Sequence, residues 1–327
     1  MNTSNKLYPI DQVIALINSG NQLVLAGNED AIKKLPKGNW IGGSIPYFMD
    51  TDGGCFNDKL IFVTDFTEIS KNSKICVYNQ NQIEQIMNDR FENGFGYILI
   101  PCFSEILTKY AMISQSLSSL YDSPLIGWVT GIDLNKIGEM VPKIFNGIDG
   151  KEYENEAIVM HIEMPENKTA AIEIINIFEQ GNGDSIMFEK DGFEFKECLV
   201  NGQKRDIVQY VKENNIDIRL PLVADYSGAM INVSFQQVNE EKNTVLFYAP
   251  LIKGVEYKLA KPVENYVAAF QAVVPKDVEV VSSCNCILNY LYSELEGKKT
   301  GQMRGPFTFG EIAYVLVNQT LVYLKIL

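Results

Sequence analysis

The chain has 327 residues, 46% of them hydrophobic and 21% charged, and its formal net charge is −13. This length and balance bury a core of good size in one large or two ordinary domains and exclude long disorder. The acidic surface repels phosphate, which excludes nucleic acid and anionic membranes as partners. The acid is concentrated early: residues 1–220 carry 19 Lys+Arg against 31 Asp+Glu, and residues 221–327 carry 9 against 10.

The first residues hold no apolar leader segment, and no apolar run reaches membrane-spanning length. From the start, 11–19 reads as a helix and 22–26, 40–45, 60–65 and 74–78 as strands, followed by a helix over 81–91. Residues 97–102 form an apolar run of buried-strand length. A helix over 104–120 follows, with Ile106, Leu107, Tyr110, Ile113 and Leu117 at helical spacing. Strands at 124–130, 156–164, 170–178 and 193–200 come next, and Asn201-Gly202 turns the chain into a helix at 206–214. Charge and hairpin patterns change near Leu220-Pro221, which sets the expected boundary between domains 1–220 and 221–327. Beyond it, 230–238 and 243–249 form a hairpin. A strand at 255–260, a helix at 263–273, a strand at 278–282 and a helix at 287–295 follow. Apolar runs flanking Asn318-Gln319-Thr320 read as a closing hairpin. The expected class is α+β, with mixed or largely antiparallel sheets covered by helices. One internal echo stands out. A strand ending at Cys102 leads through a helix to Ile126-Gly127-Trp128, and a strand ending at Cys284 leads through a helix to Gly305-Pro306-Phe307. The two stretches share a plan or coincide by chance.

Familiar catalytic and nucleotide motifs are missing. Gly42-Gly43-Ser44-Ile45-Pro46 is no nucleophile elbow, and no phosphate loop or dinucleotide fingerprint occurs. Asp50-Thr51-Asp52-Gly53 begins like a calcium loop but has Ile61 where the closing Glu belongs. Six cysteines, at 55, 76, 102, 198, 284 and 286, are too sparse for a disulfide framework. The one histidine, His161, alternates with Ile158, Met160 and Ile162, so it is expected on the solvent face of a strand and dispensable.

Two segments concentrate chemistry. In an extended Arg304–Glu311 run, Phe307, Phe309 and Glu311 share one face, and Gly305 and Gly310 permit close approach. Arg304 and Glu311 beside two rings would clamp a zwitterion; alternatively the rings are core and the two charges a surface pair. Cys284-Asn285-Cys286 sits at a strand-to-helix junction. It lacks a second metal-ligand pair and a nearby histidine, which leaves two readings, inert buried thiols or a pocket floor.

The run Gly305-Pro306-Phe307-Thr308-Phe309-Gly310-Glu311-Ile312 with Asn318-Gln319-Thr320-Leu321 resembles the end of a FIST domain, a family of small-ligand sensors. Trp40-Ile41-Gly42-Gly43-Ser44 and Cys198-Leu199-Val200-Asn201-Gly202 are similar to its N-terminal turn and inter-domain strand. The resemblance implies FIST N-like and C-like domains and a pocket built by Cys284, Asn285, Cys286, Arg304, Phe307, Phe309, Gly310 and Glu311. It also implies a sensory role with a signalling protein as partner. One departure is the Asn285-Cys286-Ile287-Leu288 stretch, where family members often place an Arg shortly after the cysteine. The first reading is therefore a cytoplasmic, non-enzymatic protein that binds a small polar metabolite such as an amino acid, without cofactor or metal. Its oligomeric state is left open. The competing readings are an interaction module with a degenerate pocket and an enzyme with a carboxylate or cysteine site.

Overall fold

The computed structural model describes residues 5–226, 228–276 and 278–327; residues 1–4, read above for a leader, lie outside them. The fold is α+β, as expected, and its strands follow one plan repeated three times around the molecule. In the first repeat, β1 (Lys6–Tyr8) leads through α1 (Ile10–Asn18) to β2 (Leu23–Gly27). Next come α2 (Glu29–Ile32), β3 (Trp40–Ser44), a hairpin of β4 (Tyr47–Asp50) and β5 (Gly53–Phe56), and β6 (Ile61–Asp65). The second repeat has β7 (Asn72–Tyr78), a 3-10 turn at Ile83–Met87, β8 (Gly94–Pro101), α3 (Glu105–Ile113) and β9 (Leu125–Thr130). It continues with the hairpin β10 (Ile144–Asn146) and β11 (Lys151–Tyr153) and closes on β12 (Ala157–Glu163).

The third repeat opens with β13 (Ala170–Ile175) and is interrupted by an inserted lobe. The lobe contains β14 (Ile186–Met187), β15 (Gly192–Phe195), β16 (Glu197–Val200), β17 (Gln203–Asp206), α4 (Ile207–Glu213) and β18 (Leu222–Tyr226). It continues through β19 (Ala229–Val233), β20 (Phe235–Asn239), β21 (Thr244–Leu251) and β22 (Tyr257–Leu259). The repeat then resumes with α5 (Tyr266–Val273), β23 (Val280–Cys286), α6 (Ile287–Tyr292) and β24 (Gly305–Thr308). The hairpin of β25 (Glu311–Ala313) and β26 (Val315–Val317) and the strand β27 (Leu321–Ile326) complete it.

Each repeat has one parallel pair, β2 with β3, β8 with β9 and β23 with β24, bridged by a helix. Its closing strand returns antiparallel to the first member of that pair. Each hairpin leaves its own repeat and caps another repeat's sheet: β4 pairs with β24, β10 with β3, and β25 with β9. The three resulting six-stranded sheets are ordered β1-β6-β2-β3-β10-β11, β26-β25-β9-β8-β12-β7 and β13-β27-β23-β24-β4-β5. The echo between the Cys102 and Cys284 stretches is thus real, and a third copy precedes both.

This exchange corrects two expectations. The boundary near Leu220 separates no two sheets. It falls inside the inserted lobe, whose sheet β17-β16-β14-β22-β18-β19 has strands on both sides of it, and hairpin exchange carries two more sheets across it. The closing hairpin is also not one: β26 pairs with β25, and β27 crosses to lie between β13 and β23. The change of charge at 220 marks surface composition, which does not govern strand pairing.

Local chemistry explains the element ends. Ser104 caps α3 by accepting from the Leu107 N–H, and Asn265 caps α5 through the Ala268 N–H. The helix expected over 104–120 ends at Ile113, where Ser114, Ser116, Ser118 and Ser119 favour turns over helix. Between the repeats the third strands meet closely. A Cβ at Gly43 would lie 2.4 Å from the Trp128 ring, and one at Gly131 would lie 2.2 Å from Phe309. Among the described residues, no helix is long and apolar enough to cross a membrane.

Candidate functional site

The carboxyl ends of the parallel strands are where this topology opens a crevice. A small enclosed cavity of about 50 Å³ lies there, between the second and third repeats. Phe103, just past β8, and Leu134 and Ile137, past β9, form one side. Cys286, Ile287, Leu288 and Leu291 at the β23–α6 junction form the other, with Phe309 and Asn318 nearby. Tyr248 of β21 comes from the inserted lobe. Phe103, Ile137 and Leu291 are exposed, so the rim is apolar. Phe103 holds φ at +62°, a left-handed conformation that is costly for a bulky residue and that keeps its ring at the rim, 6.2 Å from the Phe309 ring.

The polar groups collect at the floor. Asn318 is 1% exposed; its Oδ1 accepts the Ser234 N–H at 2.9 Å, while its Nδ2 has no partner among the described residues. The Tyr248 hydroxyl has no hydrogen-bond partner among the described residues, and burial pushes its pKa up. Behind Cys286 lies Glu311, 0% exposed, with its Oε2 accepting from the Thr320 hydroxyl at 2.8 Å and the Thr320 N–H at 3.3 Å. Its Oε1 makes no hydrogen bond among the described residues. Burial pushes the Glu311 carboxyl up to about 8; Thr320, the Cys286 thiol and the Thr308 hydroxyl pull the other way without restoring the ordinary value. No cation is paired with it among the described residues, so it is mostly protonated at neutral pH. Burial likewise raises the Cys286 thiol, toward whose sulfur the Leu288 and Gln319 N–H groups point.

The other expected residues are placed differently. Cys284 is buried with its sulfur 3.5 Å from the Gly127 carbonyl, outside the cavity. Asn285 accepts from Asn289 Nδ2 at 2.9 Å, donates from its own Nδ2 to the Tyr266 hydroxyl at 3.4 Å, and is not among the residues lining the cavity. Phe307 is core, its ring 4.8 Å from that of Tyr290. Gly310 lies where the chain passes from β24 in one sheet to β25 in another, so the strict alternation that put Phe307, Phe309 and Glu311 on one face ends there. Arg304 stands at the opposite end of β24, its carbonyl accepting from Ser283 Oγ, and it forms no ion pair with Glu311. The zwitterion clamp is therefore not built. Of the eight expected residues, Cys286 and Phe309 line the cavity, and Glu311 stands immediately behind it.

Asn318, Tyr248 and Phe103 were not singled out from the sequence. Asn318 lay in a run read as a turn, and no local pattern ties Tyr248, in a distant hairpin, to the third repeat. His161 is the largest reversal. It is 1% exposed, in a strand between β7 and β8, and its Nε2 lies 2.8 Å from the Tyr78 hydroxyl. Both faces of that sheet are covered, so alternation did not mark a solvent side.

A family model described as a family of unknown function (DUF6976) matches residues 8–327. The chain belongs to that family. No curated protein matches it. In this DUF6976 chain a wider open groove, of about 690 Å³, lies on the inserted lobe. Glu189, Lys190, Glu194, Lys196, Glu197 and Lys242 wall it; all are exposed, and Glu189 and Glu197 pair with Lys204. Those charges are ordinary solvated surface. The cavity at Cys286 and Asn318, which pairs apolar walls with unpartnered polar groups, is the candidate site.

Proposed function

We propose that the chain binds a small molecule in the cavity between the second and third repeats, as the resemblance to sensory FIST domains implies. The observation that carries this reading is Asn318 Nδ2, a buried donor without a partner in the cavity wall. Leaving such a donor unpaired costs about 1–3 kcal/mol, which an acceptor on the ligand recovers. The Tyr248 hydroxyl offers a second donor. No charged side chain lines the cavity, and Glu311 behind it is mostly protonated, so the buried end of the ligand is a neutral acceptor. Phe103, Leu134, Leu288 and Phe309 take its apolar body. This favours a small carbonyl compound over the free amino acid that an Arg304–Glu311 clamp would have held. All six cysteines are free, in keeping with a reducing cytoplasm.

The test is thermal unfolding against a panel of small neutral carbonyl compounds, with propionamide as the reference member. Ligand bound to the native state raises stability by about 2.7 kcal/mol at a hundred times its Kd. The shift is expected in the wild type and is expected to shrink in Asn318→Ala and Tyr248→Phe. A panel that leaves the wild type unmoved, or shifts all three proteins equally, overturns the reading.

A further inference from the structure

Cys286 and Cys284 are equally buried, two residues apart on one strand, yet their sulfurs meet different chemistry. Cys284 donates a hydrogen bond to the Gly127 carbonyl and lies outside the cavity, although the Glu311 charge reaches it as well. Cys286 lines the cavity, with the Leu288 and Gln319 N–H groups directed at its sulfur and the Glu311 carboxyl beside it. Asn318, whose buried Nδ2 has no acceptor among the described residues, and the half-buried Tyr248, whose hydroxyl makes no hydrogen bond among them, both line this cavity. A thiol, a proton acceptor and donors for a developing oxyanion are the parts needed for addition to a carbonyl carbon.

We propose that Cys286 adds reversibly to the carbonyl carbon of a small aldehyde bound in this cavity, with Glu311 carrying the proton. The inference rests on the reading of the cavity as a ligand site. The Glu311 carboxylate takes the proton from Sγ, and a sulfur lone pair forms the S–C bond. The carbonyl π pair moves onto oxygen, where Asn318 Nδ2–H and the Tyr248 O–H hold it. Glu311 then returns the proton to that oxygen, which leaves a thiohemiacetal. No atom leaves, and nothing is oxidised or reduced.

Burial keeps Cys286 a thiol at rest, so the step depends on ionised Glu311. The other titratable groups around the pair are Cys284 on β23, Tyr266 on α5, Tyr248 on β21 and Tyr292 on α6. Burial raises every one of them, and all stay neutral while Glu311 titrates.

Propanal labelled with ¹³C at the aldehyde carbon tests the proposal on the full chain. Bound propanal is expected to show a saturated-carbon resonance in place of the aldehyde one. That resonance should vanish in Cys286→Ser and persist in Cys284→Ser. Its rate of appearance should fall about 100-fold in Glu311→Gln, the size of a general-base contribution. As a second measurement on the unmodified protein, iodoacetamide should label Cys286 faster than the equally buried Cys284, at a rate that rises through about pH 8. The proposal is overturned by a missing resonance, by one that survives Cys286→Ser, by an unchanged rate in Glu311→Gln, or by equal labelling of the two thiols. Stabilisation by propionamide without a propanal adduct would retain the binding site and remove the chemistry. Failure of both would remove both.

Discussion

Glu311 and His161 are both shut away from solvent and both titrate far from their ordinary pH, and Glu311 stands beside the candidate cavity. Burial pushes Glu311 up to about 8 and His161 down to about 4; Lys74 and Arg90 add to the depression of His161 against the opposing effect of Asp89. His161 has polar contacts on one side of its ring, while its Nδ1, like Glu311 Oε1, has no hydrogen-bond partner among the described residues. Its Nε2 meets the Tyr78 hydroxyl at 2.8 Å, and that hydroxyl donates to Asp89 Oδ2 at 2.9 Å. Glu311 has one oxygen held by Thr320, and its Oε1 makes no hydrogen bond among the described residues. A displaced titration and an unpartnered atom therefore mark burial in both places, and the cavity beside Glu311 marks that one as suited to chemistry.

The pH dependence of stability separates the two most sharply. Glu311 binds its proton more tightly in the folded protein, so its contribution is fully present below about pH 4.5 and is lost as pH rises through about 8. Relative to wild type, Glu311→Gln should gain about 4 kcal/mol between pH 4 and pH 8 in denaturant titrations. A difference that stays constant with pH would show that Glu311 is ionised in the folded state at ordinary pH. His161 has the opposite sign: the folded protein resists protonation, so stability present above about pH 6.5 is lost as pH falls through about 4. His161→Gln should remove about 3 kcal/mol of that acid sensitivity between pH 7 and pH 4. The same acid profile in both proteins would place the histidine in water.

Smaller effects sharpen the contrast. Tyr78→Phe breaks the Asp89–Tyr78–His161 contacts and leaves the His161 N–H unpartnered, an expected loss of about 2 kcal/mol in urea unfolding. Tyr248→Phe removes a hydroxyl that already lacks a partner, so stability without ligand should move by no more than about 0.5 kcal/mol. A loss near that of Tyr78→Phe would mean that the Tyr248 hydroxyl is structurally engaged and the cavity floor is closed.

Much of the local structure was legible. Most strands and the helices at 10–18, 105–113, 207–213 and 287–292 follow from apolar spacing and from caps such as Ser104. The repeat was visible as two of its three copies, because strand, helix and parallel strand leave the same order of apolar run and glycine at Cys102 and Cys284. Cys286, Phe309 and Glu311 were found because unusual residue types crowd two short stretches, 284–286 and 304–311. Phe307 was drawn in by strand alternation, which ends at Gly310 where the chain changes sheets, and Arg304 by its charge, opposite to that of Glu311. Asn318 and Tyr248 depend on the inserted lobe docking against the third repeat, through Ser234 to Asn318 and Asn232 to the Gln319 carbonyl. Contacts across 84 and 87 positions leave no local mark.

The exchange of hairpins also governs how the protein is made. A ribosome releases β4 and β5 early, but their partner β24 lies some 250 positions later, and the sheet containing β8 and β9 waits for β25 and β26. Only the sheet holding β1, β2, β3 and β6 gathers all its strands once β11 has emerged. Until the stretch 280–326 appears, the other two present open edges and uncovered apolar faces, the condition in which nascent chains aggregate or recruit chaperones. Folding is thereby tied to late synthesis, and nonsense truncations anywhere upstream would leave a chain with unpaired strands rather than a smaller folded protein.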